Sequence, residues 1–213
     1  QYGIDKLRVG DTLFIRGGTY FPESIIDITT YSGTEENPIC VFGYPDDVFT
    51  GNKIIIDCDN LYRSGGLWVH NVDYWILKDF TVRNAKQDGA SVDIRGVQAT
   101  RAMYIYFINI VSYGHGGPGF EVNNASGTHQ AIAFFINCDS FSNCDSDSSR
   151  PGNDGDGFGN NGYYSTIGGA TSMSLADTTK WVKAYYINCR AWNNSDDGWD
   201  FLDNTRGVVD SCW

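Results

Sequence analysis

The chain has 213 residues, of which 41% are hydrophobic, 15% are aromatic, 25 are glycine and only 5 are proline. This length suits one domain, and the composition favours short strands joined by tight turns over helices. The formal net charge of −11 argues against a nucleic-acid partner, since such binding needs clustered lysine and arginine. No apolar run approaches the ~18 residues that a membrane-spanning helix requires, which argues against membrane insertion.

The beginning of the chain predicts short strands bounded by turn residues. Residues 10–20, with the sequence GDTLFIRGGTY, predict a turn, a strand and a second turn. Two further apolar runs, Pro38–Gly43 and Lys53–Asp57, have the same character. Residues 1–9 resemble the tail of a longer segment, such as a capping helix.

An internal repeat begins near residue 70. Four segments align, and the chain ends on the start of a fifth: Ile76–Val82, Tyr106–Ser112, Phe134–Ser140, Tyr185–Ala191 and Val208–Trp213. One aligned position is apolar in every copy, at spacings of 30, 28, 51 and 23 residues: Phe80, Ile110, Cys138, Cys189 and Cys212. A β-rich repeat of this period with glycine turns predicts a parallel β-solenoid, and the longest spacing holds an insertion over residues 159–180.

Stacking of the repeats gives each aligned position a structural role. Equivalent residues of successive turns lie about 4.8 Å apart, so the apolar position predicts an inward ladder. We expect Cys138, Cys189 and Cys212 to be buried free thiols, because in-register stacking rarely gives a disulfide its dihedral angle. The chain holds no CxxC pair, which argues against a zinc ribbon. The residue before this position is asparagine in three copies, where it is predicted to line a turn: Asn109, Asn137 and Asn188.

Two acidic stretches occupy the same place in successive copies, Asp156-Gly157-Phe158 and Asp197-Gly198-Trp199. Stacking would place Asp156 beside Asp197, with Asp196 and Asp200 flanking it on the same turn. Four converging carboxylates require proton sharing or a cation. Oxygen ligands in loose geometry favour Ca²⁺ over Mg²⁺ and zinc. The three histidines are scattered and are interpreted as surface or packing residues: His70, His115 and His129.

The sequence around these acids resembles the pectate lyases of polysaccharide lyase family nine. Residues 189–200 carry the specific part of the resemblance, supported by residues 137–140 and 154–158, whereas residues 10–20 resemble β-helix proteins more widely. The resemblance implies an all-β, right-handed parallel β-helix that occupies residues 1–213 as part of a longer domain. It also implies β-elimination of polygalacturonate with the help of Ca²⁺.

Carried over by motif, the calcium ligands implied by the resemblance are Asp156, Asp196, Asp197 and Asp200. The ion would bind the C6 carboxylate of the substrate and stabilise the enolate that forms when a lysine removes the C5 proton. We therefore expect a secreted, extracellular monomer whose partner is an acidic polysaccharide, polygalacturonate or pectin.

The sequence departs from the family in its catalytic base. The family's lysine follows the aspartate cluster in a glycine-rich stretch, which residues 201–213 lack. Lys180 and Lys183 precede the cluster and are expected to face solvent, and Arg206 is a weak base because arginine rarely loses its proton. We therefore expect the base to lie beyond Trp213 and the chain to be a fragment whose own activity is open.

Two other functions remain open at this stage. A β-helix glycoside hydrolase would use two acids about 5–9 Å apart. A non-catalytic polysaccharide-binding or adhesin module with structural calcium would account for the missing lysine. Tyr163, Tyr164 and Trp199 are candidates for stacking on sugar rings, although core packing is the default expectation for each.

Overall fold

A computed structural model of the chain shows a parallel β-helix built from three sheets. It describes residues 1–61, 65–87, 94–124, 130–162, 166–167, 170–171, 181–202 and 205–213. The first sheet has seven strands, in this spatial order: β1 (Thr12–Ile15), β4 (Ile39–Gly43), β7 (Trp75–Lys78), β10 (Met103–Ile108), β13 (Ala131–Ile136), β18 (Val182–Ile187) and β21 (Thr205–Asp210).

The other two large sheets have six strands each. The second sheet contains β2 (Gly18–Tyr20), β5 (Ile54–Asp57), β8 (Thr81–Arg83), β11 (Val111–Tyr113), β14 (Asp139–Phe141) and β19 (Arg190–Trp192). The third sheet contains β3 (Ile26–Ile28), β6 (Leu67–His70), β9 (Val97–Thr100), β12 (Phe120–Asn123), β15 (Phe158–Asn161) and β20 (Trp199–Leu202). A separate antiparallel pair consists of β16 (Thr166–Ile167) and β17 (Ala170–Thr171).

Each complete turn gives one strand to each sheet, and neighbouring turns pair in parallel, as β10 does with β7 and β13. The predicted parallel β-solenoid is therefore confirmed. Within the described residues, two short helices accompany the strands, α1 (Tyr2–Asp5) and α2 (Pro45–Thr50). The composition favoured strands over helices and did not predict α2. The second turn predicted within residues 10–20 is in fact strand β2. No helix in the described ranges is long and apolar enough to cross a membrane.

Stacked aromatic rings fill the core where the first and third sheets face each other. On the first sheet, Phe135 lies between Phe107 and Tyr186, with ring centroids 5.1 and 5.0 Å away. On the third sheet, Phe120 and Phe158 stack at 5.0 Å, and Phe158 meets Phe135 edge-on at 5.7 Å. All five side chains are at most 1% exposed, so this stack forms the rigid centre of the helix.

The predicted inward ladder at the repeat position is present. Phe80, Ile110, Cys138 and Cys189 are buried, whereas Cys212 is half-buried. All six cysteines are free thiols, which confirms that expectation. The expected burial is confirmed for Cys138 and Cys189, whereas Cys212, on the last turn of the described helix, is only half-buried.

The asparagines before this ladder form a ladder of their own at the corner between the first and second sheets. Asn109, Asn137 and Asn188 all adopt left-handed backbone conformations, with φ of 54° to 55°. The side-chain amide of Asn137 donates to Asn109 Oδ1 at 2.8 Å, and that of Asn188 donates to Asn137 Oδ1 at 3.1 Å. The predicted turn-lining role is confirmed, and its physical basis is that asparagine tolerates this conformation and bonds to its stacked neighbours.

Replacing Asn137 tests both contributions. Asn137→Ala should lower the free energy of unfolding by about 2 kcal/mol, since it removes two amide hydrogen bonds and places alanine at a positive φ. Asn137→Gly loses the same bonds without the backbone cost, so about 1 kcal/mol is expected. Urea denaturation would separate the two variants, and equal losses would show that the backbone conformation contributes nothing.

Some sequence predictions fall on residues outside the described part of the chain. They concern Tyr163, Tyr164, Lys180, His129 and most of the insertion over residues 159–180.

Candidate metal centre

The acidic residues lie at the corner where the chain passes from the second sheet to the third. Asp156 comes two residues before β15, and Asp197 comes two residues before β20. Strands β15 and β20 pair with Phe158 opposite Trp199, so Asp156 and Asp197 occupy equivalent positions on adjacent turns. The predicted stacking of these two aspartates is therefore confirmed. The backbone N–H of Asp197 also donates to Asp156 Oδ1 at 3.1 Å.

Three of the four predicted ligands come together. One carboxylate oxygen from each of Asp156, Asp196 and Asp197 lies within 4.8 Å of the other two. Asp156 is only 5% exposed, whereas Asp196 and Asp197 are exposed, so the group opens to solvent on one side. Asp200 lies outside this group of three, on β20 opposite Gly159. It is still close enough to act electrostatically on Asp156.

The acids destabilise one another's ionised forms. Burial, together with the charges of Asp200, Asp196 and Asp197, raises the pKa of Asp156 to about 7, although the N–H of Asp197 opposes this shift. Burial and the neighbouring carboxylates also raise the pKa values of Asp196 and Asp200. A bound cation would remove this repulsion. The donors are carboxylate oxygens alone, so the residues present fit a hard ion such as Ca²⁺.

A second polar ladder supports the corner from inside the helix. Asn143 donates from Nδ2 to the backbone carbonyl of Asp156 at 3.3 Å and to Asn194 Oδ1 at 2.9 Å. Asn194 in turn donates to the carbonyl of Ser140 at 3.4 Å. Asn143 is completely buried. This role was not predicted from the sequence for either asparagine. Extending the repeat alignment five residues past Cys138 and past Cys189 would have found them.

His115 occupies the same ladder position one turn earlier and is buried, which agrees with its interpretation as a packing residue. Its Nδ1 accepts a hydrogen bond from the N–H of Ala85 at 3.1 Å, so Nε2 carries the proton and donates to Ser112 Oγ at 3.0 Å. Ser112 donates to the carbonyl of Gly119 at 2.7 Å. Burial lowers the pKa of His115 to about 3. The neutral ring is therefore a structural link in the corner.

His115 should make stability fall as the pH drops below 6.5. Its folded pKa of about 3 lies below the unfolded value of about 6.5, so the unfolded chain binds the extra proton between these pH values. By pH 5 this costs about 2 kcal/mol of unfolding free energy. Asn143 and Asn194 fill the position in later turns, so His115→Asn is the conservative control. Denaturation at pH 7.5 and pH 5 should show a smaller loss for His115→Asn, and an equal loss in both proteins would contradict the assignment.

The basic residues considered near the cluster lie on another sheet. Lys183 on β18 pairs in register with Arg206 on β21, and both strands belong to the first sheet. The guanidinium of Arg206 lies 3.2 Å from the ring centroid of Trp181. Neither Lys183 nor Arg206 therefore lies at the acidic corner.

Trp199 packs on Phe158 with ring centroids 5.3 Å apart, which confirms core packing for this residue.

The whole chain matches a known protein family. A family model described as "Pel9A-like, right handed beta helix region" matches residues 1–213. The chain belongs to this family. The predicted right-handed parallel β-helix and the resemblance to family-nine pectate lyases are thereby confirmed.

Curated relatives of the chain carry related names. Pectate lyase PEL9 of Emericella nidulans is 27% identical, and the match covers 94% of this chain and 43% of that protein. Pectate lyase L of Dickeya chrysanthemi is 28% identical, with 96% of this chain and 42% of that protein covered. The chain therefore spans less than half the length of these relatives.

Solved structures share the fold at low sequence identity. The crystal structure of pectate lyase Pel9A superposes with a TM-score of 0.67 at 22% identity, covering 100% of this chain and 47% of that one. A rhamnogalacturonan lyase gives a TM-score of 0.73 at 23% identity, covering 97% of this chain and 49% of that one. At these identities the likeness shows the architecture of the helix.

Proposed function

We propose that the intact protein is a calcium-dependent polysaccharide lyase that cleaves pectate, the polymer of galacturonate, by β-elimination. The observation that carries the proposal is the stacked group of Asp156, Asp196 and Asp197 at one corner of the helix. The names of the curated relatives support the reaction class and the substrate. We extend the proposal to an extracellular monomer, as the sequence analysis expected.

Asp156, Asp196, Asp197 and Asp200 would hold the ion. When bound there, Ca²⁺ would supply positive charge to a substrate carboxylate and so acidify the proton on the adjacent carbon. An acidic corner could in this way receive an acidic polymer, which its own charge would otherwise repel.

The chain's own residues prepare this site before the ion arrives. The N–H of Asp197 fixes Asp156 Oδ1, and Asn143 holds the carbonyl of Asp156. The ordered carboxylate of Asp156 needs little rearrangement to bind, which lowers the entropic cost of recruiting it. Since Lys183 and Arg206 lie on the first sheet, the proton-abstracting base stays assigned to the lysine that the family resemblance implies after the cluster.

The spacing of the acids favours a metal site over a hydrolase. Carboxylates that act as an acid–base pair across a sugar stand about 5–9 Å apart, the longer separations leaving room for a water. Here one oxygen from each of Asp156, Asp196 and Asp197 lies within 4.8 Å of the other two, so a single ion could contact all three. That separation suits a shared ion.

The test is an assay of the intact protein on polygalacturonate with Ca²⁺ and with EDTA. The proposal predicts an unsaturated product, detected by its ultraviolet absorbance, that forms with Ca²⁺ and not with EDTA. New reducing ends without that absorbance would indicate a hydrolase and overturn the proposal. Binding of the polymer without any product would indicate a non-catalytic module and would overturn it as well.

A further inference from the structure

Asp145 is a completely buried carboxylate in the segment between β14 and β15. It accepts hydrogen bonds from Ser148 Oγ at 2.8 Å and from the N–H groups of Gly152 at 2.8 Å and Asn153 at 3.3 Å. A fourth bond comes from Ser195 Oγ at 3.1 Å. Burial raises the pKa of Asp145, but these hydrogen bonds outweigh burial and hold it below its usual value.

The four donors come from two different turns. Ser148, Gly152 and Asn153 belong to the same segment as Asp145, whereas Ser195 belongs to the next turn and immediately precedes Asp196. The carboxylate therefore joins the segment that leads into Asp156 to the backbone that carries Asp196.

Two further contacts fix the position of Ser195. The N–H of Ser195 donates to the carbonyl of Asn143 at 2.9 Å. A Cβ atom added at Gly155 would lie only 2.1 Å from Ser195 Oγ, so glycine is needed for the hydroxyl to reach Asp145. The backbone beside Asp156 is thus shaped to admit this one hydroxyl.

We propose that Asp145 is a positioning residue for the metal centre, acting through Ser195 to hold Asp196 against Asp156. This inference rests on the proposed function, because it concerns the same calcium site. Asp156 and Asp196 repel each other, so an unrestrained corner would separate them before the ion binds. The link from Asp145 opposes that separation, as outer-shell hydrogen bonds do for metal ligands in general.

Two serines that donate to the same carboxylate provide a matched test. Ser195→Ala removes the bond that crosses to the turn carrying Asp196, whereas Ser148→Ala removes a bond within the segment that leads to Asp156. In the intact protein, titration calorimetry should show calcium affinity about 10-fold weaker for Ser195→Ala. Ser148→Ala should stay within about 2-fold of wild type, since it leaves the bond to the turn that carries Asp196 in place. Denaturation in EDTA should show comparable losses of stability for both.

The possible results of this test lead to different conclusions. Affinity of Ser195→Ala equal to wild type, or equal weakening by Ser195→Ala and Ser148→Ala, would overturn the positioning role while leaving calcium binding intact. A wild-type protein that binds no Ca²⁺ would instead overturn the proposed function, and the inference with it. If Ser195→Ala does not fold, Asp145→Asn replaces it, because it keeps the shape of the side chain and weakens the acceptor. About 10-fold weaker calcium binding is again expected, and unchanged binding would again overturn the role.

Discussion

Asp156→Asn is expected to abolish calcium binding by the intact protein and, at the same time, to stabilise the metal-free protein. The buried carboxylate of Asp156 faces three other acids, which together with burial disfavour its charge. Asparagine removes that charge and keeps an oxygen to accept the N–H of Asp197, which lies 3.1 Å from Oδ1. We expect a gain of about 1–3 kcal/mol in EDTA and a loss of calcium affinity of at least about 100-fold.

Calorimetry and urea denaturation at pH 8 would measure both effects. Asp210→Asn is the matched control, since Asp210 is an exposed acid on β21, outside the cluster, and should change neither quantity. Retained calcium affinity in Asp156→Asn would exclude Asp156 as a ligand. A destabilised metal-free variant would show that the acids do not repel one another as described.

Phe158→Ala should cause the largest loss of stability among the substitutions considered. Phe158 is 0% exposed and stacks between Phe120 and Trp199, with ring centroids 5.0 and 5.3 Å away. Truncating such a ring leaves a cavity and costs about 3–5 kcal/mol. Phe158 also lies two residues after Asp156, so the metal corner should lose its order together with the core.

Phe141→Ala provides the comparison for this prediction. Phe141 is also stacked between two rings, Tyr113 at 4.7 Å and Trp192 at 4.4 Å, but it lies half-buried on the outer face of the second sheet. Its loss should cost only about 1 kcal/mol, since stacking is removed without an internal cavity. Equal losses for the two variants, measured by urea denaturation, would show that the internal stack does not dominate stability.

The sequence was informative where the fold repeats. Asp156 and Asp197 could be paired in advance because stacked turns keep equivalent residues in register, and β15 and β20 show that register. The free thiols and the asparagine ladder followed from the same alignment. The alignment could not show how each turn is divided among three sheets. A corner residue such as Asn137 ends one strand and begins the next without changing the length of the repeat.

The parts that could not be predicted depend on segments without a counterpart in other turns. Asp145 lies in such a segment, and two of its four donors are backbone N–H groups, which leave no signature in the sequence. Asp200 shows a different limit. Proximity in sequence grouped it with Asp196 and Asp197, but β20 carries it beyond the group of three.

A crystal structure of the intact protein grown with Ca²⁺ would test the central claim most directly. We predict one ion at the corner between the second and third sheets, with oxygens of Asp156, Asp196, Asp197 and Asp200 about 2.3–2.6 Å from it. An ion bound elsewhere, or a corner that stays empty while Asp156 remains hydrogen-bonded to Asp197, would contradict it.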